Sequence, residues 1–85
     1  MGNLLINSIC LTYHKKLKVW ITNINTKKFG VYTKISIDWR LGTITDGLVK
    51  MGYHYISNNR YARFNIKDKT VEECIEIIKS FYLNK

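Results

Sequence analysis

The chain has 85 residues, no proline, two cysteines, 46% hydrophobic and 13% aromatic side chains, and a formal charge of +8. A chain this short supports one hydrophobic core, which predicts a single globular domain over residues 1–85. Apolar residues interrupted every few positions by Lys, Asn, Thr or Asp exclude a disordered, a collagen-like and a helical membrane-spanning chain.

Leu4 to Thr12 reads as a first strand, with Tyr13-His14-Lys15-Lys16 as its turn. A second strand alternates Leu17, Val19 and Ile21 on one face with Lys18, Trp20 and Thr22 on the other. The third sets Phe29, Val31, Thr33, Ile35, Ile37 and Trp39 against Gly30, Tyr32, Lys34, Ser36 and Asp38. Between them, Asn23 to Lys28 is rich in turn formers and predicts a hairpin with its tip near Thr26. That tip places Val31 opposite Ile21, Tyr32 opposite Trp20 and Lys34 opposite Lys18.

After Trp39 the period becomes helical, with Ile44, Leu48 and Met51 on one stripe and Thr43-x-x-Asp46 resembling a capping box. Gly47 weakens this helix by about 1 kcal/mol relative to Ala, and Gly52 is placed to end it in a left-handed conformation. Two strands follow, Tyr53 to Ser57 and Tyr61 to Ile66, joined by a loop of Asn58, Asn59 and Arg60. In that arrangement Ile56, Ala62, Phe64 and Ile66 face the core. Thr70-x-x-Glu73 is a capping box for a last helix, whose apolar stripe is Val71, Cys74, Ile75, Ile78 and Tyr82. The expected fold class is α+β, in the order β-β-β-α-β-β-α, with antiparallel hairpins packed against the C-terminal amphipathic helix.

Positive charge is concentrated toward the N-terminus, where residues 1–37 hold six lysines and no acid. Such asymmetry favours a polyanionic partner, nucleic acid or an acidic protein surface. The non-core face of the second and third strands carries Lys18, Trp20, Tyr32 and Lys34, and on the last hairpin the equivalent face is Tyr53, Tyr55, Tyr61 and Arg63. Aromatic rings stack on bases while Lys and Arg neutralise phosphates, and Trp, Tyr and Arg are also the usual anchors of protein interfaces. The plainer reading is that a helix covers Trp20 and Tyr32 and that the lysines only solubilise an edge. Lys15-Lys16 and Lys27-Lys28 serve as phosphate clamps only if they converge, and otherwise are solvated turns.

Enzymatic signals are thin. Cys10 and Cys74 lack the short spacing of a metal site and read as buried, reduced thiols, while His14 and His54 have no nucleophile or carboxylate at motif spacing. His54 shares the parity of Ile56, which predicts a partly buried structural histidine. Glu72, Glu73 and Glu76 suit the dipole of the last helix better than a metal. No phosphate loop, dinucleotide fingerprint or zinc pattern is present, so no cofactor is expected. A small metal-independent ribonuclease would have to use His54, Tyr55 and Arg63. Ile6 occupies the position where a myristoylation signal needs Ser or Thr, and Asn7 and Ser8 interrupt the only N-terminal apolar run. These features predict a cytoplasmic protein.

Ile, Lys and Asn supply 31 of the 85 residues, the amino acids with A/T-rich codons, as in a low-GC bacterium or its phages. The three-strand-plus-helix opening is similar in outline to the DNA-binding domains of some transposon integrases, which read the major groove with a sheet face. In size, single-domain organisation and A/T-rich residue choice the chain also looks like the small proteins by which phages block host defence, including anti-CRISPR proteins. The expectation is a non-enzymatic binding protein whose basic, aromatic sheet surface engages a protein or ribonucleoprotein complex that handles nucleic acid. Direct DNA or RNA binding is the alternative, and homodimerisation through a strand edge is compatible with both.

Overall fold

A computed structural model describes residues 8–83. Five strands, β1 (Ser8–Tyr13), β2 (Leu17–Thr26), β3 (Gly30–Asp38), β4 (Tyr55–Asn58) and β5 (Tyr61–Ile66), form one antiparallel sheet in the order β1-β2-β3-β5-β4. Helices α1 (Gly42–Lys50) and α2 (Val71–Leu83) follow the two halves of the sheet, and α2 packs on it. The α+β class and the order of elements are those the sequence predicts. The part of the first strand expected over Leu4 to Asn7 lies outside the described residues.

One face of the sheet and both helices share a single core. Val19, Ile21, Ile35, Ile37, Ala62, Phe64 and Ile66 from the strands meet Leu41, Ile44, Leu48, Cys74 and Ile78. The expected parity of β2, β3 and β5 accounts for this set, since residues paired across antiparallel strands share a face. Burying each large aliphatic or aromatic side chain contributes about 1.5–3 kcal/mol, which makes this cluster the main stabiliser of the fold.

The α2 cap is reciprocal: Glu73 N–H donates to Thr70 Oγ1 (3.1 Å) and Thr70 N–H donates to Glu73 Oε1 (2.8 Å). Cys74 and Ile78 are buried, Val71 and Ile75 pack against the core, and the Tyr82 side chain lies outside the described set. α1 departs from expectation at both ends. Its N-cap is Leu41, with no side-chain cap, so Thr43 and Asp46 form no capping box. Met51 is the C-cap and is exposed, because the helix has already ended where the stripe would turn inward. Gly52, at φ +103°, then takes the left-handed conformation predicted for it.

The two hairpins differ from expectation in instructive ways. β2 runs to Thr26, so the turn is Lys27, Lys28 and Phe29, closed by Gly30 at φ +79° and by Phe29 N–H donating to Thr26 Oγ1 (3.0 Å). Asn23 and Asn25 are therefore strand residues despite their turn propensity. Trp20 pairs with Ser36, Thr22 with Lys34 and Ile24 with Tyr32, so neither the Trp20–Tyr32 nor the Lys18–Lys34 opposition forms. The offset is even, which leaves the paired residues of β2 and β3 on their predicted faces.

In the second hairpin the offset is odd. Asn58 pairs with Tyr61, leaving a two-residue turn with Asn59 at φ +56°. Losing one loop residue turns β4 over: Tyr55 pairs with Phe64 on the helix side, and Ile56 pairs with Arg63 on the other. Ile56 is consequently 55% exposed rather than in the core, and His54 is exposed rather than partly buried.

A candidate nucleic-acid interface on the open sheet face

The face turned away from both helices is built from alternate residues of every strand. Lys18, Trp20 and Thr22 from β2 share it with Tyr32, Lys34 and Ser36 from β3 and with Tyr61, Arg63 and Asn65 from β5. Ser8, Cys10 and Thr12 extend it over β1, and the Ser8 Oγ to Thr22 Oγ1 contact of 3.2 Å joins the two strands on this side. No helix covers Trp20, which is 42% exposed, while Tyr32, Lys34 and Arg63 are half-buried among their neighbours.

Six of the ten candidate residues thus come together on one surface: Lys18, Trp20, Tyr32, Lys34, Tyr61 and Arg63. Tyr53 and Tyr55 do not, because the odd offset of β4 moves the preceding chain to the helix side. There the Tyr55 ring lies 5.5 Å from Trp39 and 5.6 Å from Phe64. Tyr53 packs against the core and its hydroxyl donates to Asp68 Oδ1 (2.8 Å); burial, reinforced by that carboxylate, pushes the phenol up to about 12. The proposed trio of His54, Tyr55 and Arg63 is likewise split, with Tyr55 and Arg63 on opposite faces.

Lys27 and Lys28 occupy the tip of the β2–β3 turn, whereas Lys15 and Lys16 occupy the β1–β2 turn at the other end of β2. At about 3.4 Å per residue the ten-residue β2 separates the pairs by about 30 Å, so they do not converge on one phosphate. Lys28 Nζ instead stands 5.4 Å from the centre of the Phe29 ring.

Beside this tip Phe29, Tyr32, Arg63, Asn65 and Lys67 line a groove of about 350 Å³. Phe29 is 61% exposed, although its parity in an extended strand predicts core. The signal that would have placed it at a turn tip is the glycine that follows, since positive φ at Gly30 closes the hairpin there. Asn65 in β5 and Lys67 just beyond it continue the Arg63 face, and with no aromatic neighbour in sequence parity beside them they carry no aromatic–cation signal.

Acids are kept off the strands with one exception, Asp38, which pairs with Tyr61 and so shares the parity of the open face. The other five lie in α1, α2 and the segment before α2. Asp38 is also spoken for: it is buried and accepts from Arg40 N–H (3.0 Å), Nε–H (3.0 Å) and Nη2–H (2.9 Å). The Arg40 side-chain bonds hold its carboxyl below the usual range.

Cys10 is half-buried on the open face, and Cys74 is buried in the core, where loss of hydration pushes its thiol up to about 11. Among the described residues no group of three or more His, Cys, Asp or Glu is placed to hold a metal, and no helix is long and apolar enough to cross a membrane. Compared with known proteins, the chain matches no family model, no curated protein and no solved structure.

Proposed function

We propose that this protein binds nucleic acid through its open sheet face. The observation that carries the reading is the sorting of side chains: Lys18, Trp20, Tyr32, Lys34 and Arg63 on the uncovered face, and every unbridged acid off the strands. Cations there neutralise phosphates and release counterions, while exposed rings offer stacking surfaces. If Lys18, Lys34, Arg63 and Lys67 each meet one phosphate, the slope of log affinity against log salt is about −3 on a single strand. Fluorescence anisotropy with labelled oligonucleotides over a salt series measures that slope. The Lys18→Gln/Lys34→Gln pair is expected to flatten it by about 1.4. Binding that ignores salt, or an unchanged slope in the double variant, refutes the electrostatic face.

A second reading is favoured by Ile56, which with Trp20 brackets Arg63 on the same face and adds exposed apolar area. Trp and Arg in such a patch are common energetic anchors of protein interfaces. The chain would then inhibit a complex that handles nucleic acid, in the manner of phage anti-defence proteins. Capture of a defined protein complex that survives nuclease, weakened more by Trp20→Ala than by any single lysine change, supports this reading. Loss of all captured material on nuclease treatment opposes it.

A further inference from the structure

The groove at the β2–β3 turn has a composition that a generic basic surface does not need: two aromatic rings, Phe29 and Tyr32, the cations Arg63 and Lys67, and one amide, Asn65. Its volume of about 350 Å³ lies at the small end of ligand clefts, about 300–1,000 Å³. The Phe29 ring is held there, mostly exposed, by a turn that Gly30 closes at positive φ, forgoing the burial an apolar ring gains elsewhere. Arg63 brings a guanidinium to the groove wall, where its Nε–H is shielded from solvent and has no hydrogen-bond partner.

We infer that this groove accepts one unpaired nucleotide, which makes the ligand single-stranded nucleic acid rather than duplex. The base stacks on Phe29 and Tyr32, the adjoining phosphate lies on Arg63 and Lys67, and the Asn65 amide meets the base edge. The stacking and the base-edge contact both need an unpaired base. A duplex hides the π-faces of its bases in the stack and spends their pairing edges on the partner strand, whereas a single strand offers both. Trp20 supplies a second stacking platform four positions along the sheet and one strand away, about 14 Å from Tyr32 by sheet geometry. A strand leaving the groove can therefore continue across Lys34 toward Trp20.

The inference rests on the nucleic-acid reading and is tested separately from it. The probes are a labelled single-stranded oligonucleotide of about ten nucleotides, as DNA and as RNA, and the corresponding DNA duplex. Affinities are measured by anisotropy for the wild type, Phe29→Ala, Phe29→Tyr, Tyr32→Ala and Lys34→Gln, with circular dichroism confirming that each variant folds. The single strand is expected to bind at least about tenfold tighter than the duplex. Each alanine variant should lose about 5- to 150-fold, the range of one base–aromatic stack, and Phe29→Tyr should retain affinity. Equal binding of duplex and single strand overturns the inference. So do alanine variants that bind like wild type while Lys34→Gln weakens binding, an outcome that leaves the broader electrostatic reading standing. Failure of wild type to bind any of the probes overturns both.

Discussion

Gly47 provides a test in which two physical effects have opposite signs. In the middle of an exposed helix, Ala in place of Gly stabilises by about 1 kcal/mol. In α1, however, a Cβ at position 47 would stand 2.6 Å from Cε1 and Cζ of Phe81 and 2.9 Å from its Cδ1. Carbon atoms in contact prefer about 3.5–4.0 Å, so the ring has to retreat by about 1 Å. Phe81 is packed against the core cluster, and overpacking of this kind costs about 1–3 kcal/mol. The net expectation for Gly47→Ala is a loss of up to about 2 kcal/mol. For a domain of this size each kcal/mol lowers Tm by about 4–8 °C. Thermal and urea unfolding, followed by circular dichroism, are measured for wild type, Gly47→Ala, Phe81→Ala and the double variant. Removing the ring removes the clash, so Gly47→Ala in the Phe81→Ala background should gain about 1 kcal/mol, an interaction between the two sites of about 1–3 kcal/mol. A gain of about 1 kcal/mol in both backgrounds would falsify the close approach of α1 to α2.

The Asp38–Arg40 pair and the two cysteines offer two further tests. The Asp38 carboxyl is held low in the folded state by Arg40, so its stabilising contribution is complete above the ordinary value of 3.8 and is lost as pH falls below it, through the lowered folded value. Asp38→Asn should therefore be less stable at neutral pH yet lose less on acidification from about pH 4 downward, and parallel acid limbs in urea titrations would count against this pairing. A thiol reagent at neutral pH should modify half-buried Cys10 in the native protein and reach Cys74 only on unfolding, because Cys74 is buried and its thiol is pushed up to about 11. Fast modification of both thiols would show that α2 opens readily.

Local chemistry carried much of this fold in the sequence. Thr70 and Glu73 cap α2 through bonds between residues three apart, and Gly52 ends α1 through its own φ, so neither depends on distant packing. The alternation of Val19, Ile21, Ile35, Ile37, Ala62 and Phe64 is likewise a property of each strand, and it assigns Lys18, Trp20, Tyr32, Lys34 and Arg63 to the opposite face whichever even register is chosen. Tertiary structure decided the offsets and what lies above each face. The turn at Lys27 to Phe29 won over the asparagine-rich stretch because Gly30 and Thr26 close it, bringing Phe29 out of the expected core and beside Tyr32. One residue fewer in the β4–β5 loop moved Tyr55 to the helix side and Ile56 to the open face. Both helices settled on the same side because the buried apolar residues of β2, β3 and β5 form one continuous cluster with their stripes there. That packing leaves the basic, aromatic face open, since strand periodicity defines two faces but only the packed helices choose between them.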